Sequence, residues 1–166
     1  MQITNKMTAG IKFIFMLASI CYSTTAFAQK TEVHAKLIIQ DARFNNADIS
    51  EAWVQQGGYL VLYSTDDSEK VFLASVNPGQ KSQSYGNTFD LKVKSVKADS
   101  DQYEHDIFTF KWSYINDYDD KKGTASVKLT KIVKDVGVAF TCLIIAGNLD
   151  VIEFKGYVQG SLKPLK

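Results

Sequence analysis

Three carboxylates are gathered within the segment Asp117-Tyr118-Asp119-Asp120. Clustered carboxylates supply the oxygen ligands that Ca²⁺ prefers in proteins. The next ligand position holds Lys121, however, and no glutamate follows at the spacing of an EF-hand loop. Because Gly123 closes the segment, the pattern favours a solvated, charged hairpin turn over a calcium site, and we predict no metal site.

An imidazole stands between two carboxylates at Glu104, His105 and Asp106. These are the groups that general acid–base catalysis uses. Neighbours in an extended chain point to opposite sides, so the two carboxylates would face together while His105 faces away. The segment therefore fits the solvent-exposed start of a strand, and the second histidine, His34, does not complete a zinc site. A carboxylate hydrolase that uses Glu104, Asp106 and residues 117–120 is our third choice of function.

Cys142 shares a strand face with Phe140 and Ile144, inside the apolar run 138–146. A catalytic thiolate needs a histidine base and positive surroundings, and this strand supplies neither. We therefore predict a buried structural cysteine. The serines form no Gly-x-Ser-x-Gly motif, and no phosphate-binding glycine loop is present. The sequence thus favours a non-enzymatic protein, with no catalytic residue and no cofactor.

Aromatic side chains are the remaining candidates. Four of them alternate along residues 107–114 and share one face, and a fifth lies in the two-sided apolar run 138–146. A strand that is apolar on both faces is covered twice, either by the core and a helix or loop, or by the core and a ligand or partner. The five candidate ligand-binding residues are Phe108, Phe110, Trp112, Tyr114 and Phe140.

From residue 31 onward, apolar residues alternate at period two and are interrupted by clusters of Gly, Asn and Asp. This pattern predicts a single antiparallel all-β domain of about eight strands. The predicted strands are Glu32–Gln40, Gly58–Ser64, Lys70–Val76, Thr88–Val96, Ile107–Tyr114, Thr124–Val133, Val138–Ala146 and Asp150–Gln159. Eight strands form a closed barrel or a two-sheet sandwich, and we favour the β-barrel because closure removes exposed strand edges.

One short helical turn is predicted for Asp48–Gln56, where Asp48 and Glu51 have the spacing of a capping box. This turn is followed by Gly58 and Tyr59 at the start of a strand. The arrangement resembles the opening of lipocalin-like (calycin-type) barrels, in which a short helix leads into a strand through a glycine and an aromatic residue. Those families carry tryptophan at the position of Tyr59, and the resemblance implies a small secreted β-barrel without assigning binding residues.

The first 28 residues have the layout of an export signal. Two lysines precede an apolar run at 13–20, and small residues follow at Ala26 and Ala28. The apolar run is shorter than the roughly 20 residues that a membrane-spanning helix needs. We therefore expect a signal peptide (1–28) that is cleaved between Ala28 and Gln29, leaving no stable membrane anchor.

Cleavage would change the character of the chain. It removes Lys6 and Lys12, so 17 of the 19 basic residues remain against 18 acidic ones. A near-neutral chain with a single arginine lacks the field that attracts nucleic acids. Because Cys21 is also lost, Cys142 cannot form an internal disulfide. We expect the all-β domain (29–166) to work in the periplasm or outside a bacterial cell.

These observations favour an exported, non-enzymatic binding module that holds an apolar small molecule inside a barrel. The alternative is a secreted protein-interaction or structural β-sandwich domain that packs an apolar strand against a protein partner or a second copy. The expected partner is thus a small molecule or a protein, and no nucleic acid.

Overall fold

The computed structural model describes residues 31–65, 68–97, 103–160 and 162. The predicted signal peptide lies outside the described residues. Within them the chain forms nine strands and one short helix. In chain order the elements are β1 (Thr31–Phe44), β2 (Ala47–Asp48), α1 (Ser50–Val54), β3 (Tyr59–Thr65), β4 (Ser68–Asn77), β5 (Ser82–Val96), β6 (His105–Asn116), β7 (Lys122–Lys134), β8 (Gly137–Ala146) and β9 (Val151–Gln159).

The strands form a closed antiparallel barrel. From β3 to β9 each strand pairs with the next, and β1 pairs with both β3 and β9. The register of β1 runs from Thr31 opposite Thr65 on β3 to Phe44 opposite Ile152 on β9. The predicted all-β fold and β-barrel are confirmed, and the two-sheet sandwich is wrong, because the β1–β9 pairing closes the sheet.

The eight predicted strands are all present, as β1 and β3 to β9. Two features were missed. The two-residue strand β2 forms a tight hairpin with β1, in which Asn45 and Asn46 both have positive φ angles, 48° and 68°. Strand β5 begins at Ser82 rather than at Thr88, because residues 82–87 are mostly polar and carry no apolar alternation.

The helix α1 is shorter than predicted, and the capping box is wrong. Its N-cap is Ile49, which makes no side-chain capping bond. Instead Asp48 Oδ1 accepts a hydrogen bond from the Ser50 amide (2.8 Å), and its hydrogen bonds with Ser50 lower the pKa of Asp48. The Ser50 hydroxyl oxygen accepts a bond from the Ala42 amide (3.0 Å), which fastens the helix to β1.

Because neighbouring strands are antiparallel, the connections alternate between two ends of the barrel. The helix end carries α1 and the turns at 78–81, 117–121 and 147–150. The opposite end carries the 135–136 turn. There Lys131 Nζ donates to the Leu162 carbonyl (3.2 Å) and to Asp106 Oδ2 (3.3 Å). Leu162 is buried and belongs to the hydrophobic core.

Part of the interior is filled by large apolar side chains. On β6, β7 and β8 the residues Phe108, Leu129 and Cys142 are directly opposite one another and point inward. We use the term packed half for six of the side chains that are at most 1% exposed and line no cavity: Leu37, Leu62, Phe108, Leu129, Phe140 and Cys142. Close packing of this kind is typical of protein interiors.

Candidate functional site

A cavity of about 280 Å³ lies inside the barrel at the helix end, and we call it the helix-end cavity. Its apolar lining consists of Trp53, Trp112, Tyr114, Ala125, Ile144, Ala146, Ile152 and Phe154. Its polar lining consists of Ser75, Asn77, Gln80, Ser82, Ser84 and Asn116. Because Gln80 is exposed, the cavity reaches the surface at the 78–81 turn.

Aromatic rings form one side of the helix-end cavity. The ring centroids of Trp112 and Tyr114 are 4.7 Å apart, and those of Trp53 and Phe154 are 4.8 Å apart in an edge-to-face arrangement. The Trp112 indole N–H already donates to the Leu73 carbonyl (3.1 Å). Trp112 therefore offers its ring surface to the cavity, and not a hydrogen-bond donor.

The position of Trp53 is set by two neighbours of α1. The Gly58 amide donates to the Trp53 carbonyl (2.7 Å), and a Cβ atom at Gly58 would lie 2.6 Å from Trp53 Cε3. Only glycine therefore permits this approach without displacing the indole. On the other side Asn77, which is 2% exposed, donates from Nδ2 to the Ala52 carbonyl (2.9 Å). These contacts hold the helix over the cavity.

Strands β4 and β5 supply most of the polar side. Ser75 is directly opposite Ser84, and Asn77 is directly opposite Ser82, so these four residues face inward in two registered pairs. Asn116 on β6 donates from Nδ2 to Ser84 Oγ (3.0 Å). Inward positions of a small barrel are usually filled by apolar side chains, so this polar group departs from the rest of the interior.

The cavity is electrically neutral in its lining. Among the described residues that line it, none is Asp, Glu, Lys, Arg or His. A charged group placed there would lose its hydration without meeting an opposite charge, which costs free energy. The site can therefore hold a neutral molecule through ring contacts and hydrogen bonds.

The structure separates the five aromatic residues that the sequence proposed as ligand-binding. Trp112 and Tyr114 line the helix-end cavity. Phe108 and Phe140 belong to the packed half, and Phe110 is a core residue opposite Val127 on β7. All five are on inward faces. Alternation along a strand predicts that a side chain points inward, but not whether the interior at that level of the barrel is filled or open.

Sequence reasoning missed the polar lining and Trp53 as parts of the site. A signal for the polar lining was present in Ser82-Gln83-Ser84. There two serines alternate at period two, so both point inward once this segment pairs with β4. A signal for Trp53 was its place on a helix too short to be stable alone, since such a helix depends on packing by its few large side chains.

The carboxylates considered for a hydrolase do not share a site at the cavity. Asp106 and Asp117 stand near the two ends of β6, and at about 3.3 Å per residue they are some 35 Å apart. Asp117 Oδ1 accepts from the Gln83 amide (2.6 Å), and Asp119 pairs with Lys121 (2.7 Å). In residues 31–65, 68–97, 103–160 and 162, no three His, Cys, Asp or Glu side chains converge on a metal position.

Cys142 is a buried residue of the packed half, as its sequence context predicted. Burial raises the pKa of its thiol to about 12. The neutral thiol is therefore the form present at physiological pH.

The outer face of β8 borders a second, shallower depression of about 410 Å³, which we call the outer groove. Leu143 and Ile145 line it together with Lys92, Lys111 and Lys128 from the neighbouring strands. The apolar character of both faces of β8 thus corresponds to the core on the inside and to this open groove on the outside.

Comparison of the chain with protein-family models, with curated proteins and with solved structures gave no match. Among the residues that the structure describes, no helix is both long enough and apolar enough to span a bilayer.

Proposed function

We propose that this protein binds a small, largely apolar molecule in the helix-end cavity. The observation that carries the proposal is the cavity itself, because a closed barrel with a filled packed half keeps about 280 Å³ of space beside both tryptophans of the chain. Ligand pockets combine apolar and aromatic walls with a few polar groups, and this lining has that composition. The volume lies at the lower edge of the usual range of about 300–1,000 Å³, which favours a ligand of one or two rings.

We also propose a lipocalin-like role for the barrel, in an exported protein. The closed antiparallel barrel and the helix that leads through Gly58 into β3 are compatible with that family. The aromatic residue at the family position is Tyr59, and Lys36 Nζ on β1 lies 4.2 Å from the centroid of its ring. This cation–π contact joins β1 to β3 at the start of the strand.

Native mass spectrometry of the protein purified from its own host tests the proposal. We expect the native spectrum to show a mass increment that a denatured spectrum lacks. Because Trp53 and Trp112 both line the cavity and are the two tryptophans of the chain, the removal of this ligand should change the intrinsic fluorescence. Absence of a mass increment, together with unchanged fluorescence on addition of an apolar extract of the host, would contradict the proposal.

A pair of matched variants links any such ligand to the cavity. Ala125→Leu adds three carbons to the cavity wall, and we expect it to abolish the mass increment. Ala139→Leu makes the same change on β8, at the outward-facing position next to the buried Phe140, and should retain the ligand. Equal ligand occupancy in both variants would place the ligand elsewhere.

A second candidate function is protein interaction, which the outer groove favours. Ile145 is 37% exposed there, beside the half-buried Leu143, and exposed apolar groups that cluster on a sheet face are typical of interaction sites. Size-exclusion chromatography with light scattering separates the candidates. A dimer that Ile145→Lys dissociates supports the interface, whereas a monomer whose melting temperature depends on a ligand supports the cavity.

A further inference from the structure

Three serine hydroxyls face the helix-end cavity. Ser75 on β4 and Ser84 on β5 are opposite each other. Ser82 precedes Ser84 by two residues and lies on the same face of β5. Within the described part of the chain, the hydroxyls of Ser75 and Ser82 make no hydrogen bond to another protein group. They can therefore both donate to and accept from a bound molecule.

Two of the three amide side chains that line the cavity, those of Asn77 and Asn116, are already committed to the fold. Asn77 donates to the Ala52 carbonyl and accepts from the Gln80 amide (3.4 Å). Asn116 donates to Ser84 and accepts from the Tyr118 amide (2.9 Å). Gln80 lies at the exposed 78–81 turn. Deeper in the cavity, hydrogen bonding to a ligand is consequently left mainly to the serines, which lie on β4 and β5.

A pure hydrocarbon would match only half of this lining. It would displace water from the hydroxyls without replacing their hydrogen bonds, which weakens binding. An anion or cation would find no opposite charge among the lining residues. A neutral ring with hydroxyl or carbonyl substituents satisfies both sides of the cavity.

We infer that the ligand is an uncharged ring compound that bears hydroxyl or carbonyl groups, with its ring against Trp112 and Trp53 and its polar groups on Ser75 and Ser82. This inference rests on the proposed function and specifies its ligand class. The Trp112 N–H is bonded to Leu73, so the ring contact and the serine contacts are made by separate parts of the ligand.

Three probes built on one bicyclic ring test the inference by isothermal titration calorimetry at pH 7: naphthalene, 2-naphthol and 2-naphthoate. We expect 2-naphthol to bind about tenfold more tightly than naphthalene, which corresponds to about 1.4 kcal/mol from added hydrogen bonds. The anionic 2-naphthoate should bind most weakly. Equal binding of naphthalene and 2-naphthol, or strongest binding of 2-naphthoate, would overturn the inference and leave the proposed function intact.

The double variant Ser75→Ala/Ser82→Ala assigns the preference to the serines. It should bind naphthalene at least as well as the unmodified protein and lose the preference for 2-naphthol. The control is Ser113→Ala/Ser126→Ala, which removes two hydroxyls from outward positions of β6 and β7 and should keep that preference. If the control and the cavity variant lose it equally, the inference is overturned. If the unmodified protein binds neither neutral probe, the inference is overturned, while the proposed function is decided separately by the native mass spectrum.

Discussion

The two halves of the barrel interior differ in what fills them. In the packed half, Phe108, Leu129 and Cys142 meet across three strands and are at most 1% exposed. Further along the same strands Trp112 is opposite Ala125, which is opposite Ala146. The change from leucine and cysteine to two alanines removes the side-chain volume that would otherwise fill the barrel.

Strands β4 and β5 show the same contrast. Leu73 faces into the packed core and is opposite Gly86, whereas the next inward pair toward the helix end is Ser75 and Ser84. Small inward residues therefore meet at the helix end from both sides of the barrel. The cavity is the consequence of this distribution, since an eight-stranded barrel is just wide enough for its side chains to fill it or to leave room for one small ligand.

Truncation of a large side chain should cost much more in the packed half than beside the cavity. Phe108→Ala leaves a void among rigid neighbours, and we expect it to lower the free energy of unfolding by about 3–5 kcal/mol. Tyr114→Ala enlarges an existing space and should cost about 1–2 kcal/mol. Urea unfolding followed by circular dichroism measures both values.

If Phe108→Ala does not fold, Phe108→Leu replaces it, with an expected loss of about 1.5 kcal/mol. The matched change at the cavity is then Tyr114→Leu. Equal losses for the two members of a pair would mean that the two halves are packed alike.

Enlargement of a small side chain should have opposite effects in the two halves. Cys142→Leu forces extra atoms into the packed half and should destabilise the protein by about 1–3 kcal/mol. Ala125→Leu places similar atoms in the cavity and should leave stability unchanged or raise it by about 0.5–2 kcal/mol. The melting temperatures of the two variants measure the difference, and a loss for Ala125→Leu as large as that for Cys142→Leu would argue against space at the helix end.

The sequence predicted the strands better than it predicted the site. Residues 107–114 alternate so regularly that β6 and its inward face follow from period two alone. Alternation predicts the face on which a side chain lies but not the residues that it meets on neighbouring strands. It therefore could not show that Trp112 lines a cavity whereas Phe108 is packed in the core. The register of β6 against β7 makes that separation, because it brings Ala125 to Trp112 and Leu129 to Phe108. Such pairings depend on tertiary contacts that the local pattern does not contain.

The same limit explains why β5 was predicted to begin at Thr88. Residues 82–87 have the composition of a loop, and they become a strand because Ser82, Ser84 and Gly86 pair with Asn77, Ser75 and Leu73 on β4. Pairing on both sides stabilises an extended segment that has little strand propensity of its own. The polar residues that line the cavity are therefore also the residues that prevented the sequence pattern from predicting the start of β5.

The smallest expected effect is the pH dependence that Cys142 adds to the packed half. Burial raises the pKa of this thiol from 9.0 to about 12, so the folded protein keeps the proton while the unfolded chain releases it above about pH 9. The stabilisation is fully present well below pH 9 and is lost as the pH rises toward 12, by up to about 1.4 kcal/mol for each pH unit.

Urea unfolding of the unmodified protein and of Cys142→Ala at pH 8, 9 and 10 isolates this contribution, because the other titrating groups are common to both. We expect the stability difference between the two proteins to narrow by about 1 kcal/mol from pH 9 to pH 10, because about half of the unfolded thiols still carry their proton at pH 9. A difference that does not change with pH would mean that water reaches Cys142, and the packed half would then be as open as the helix end.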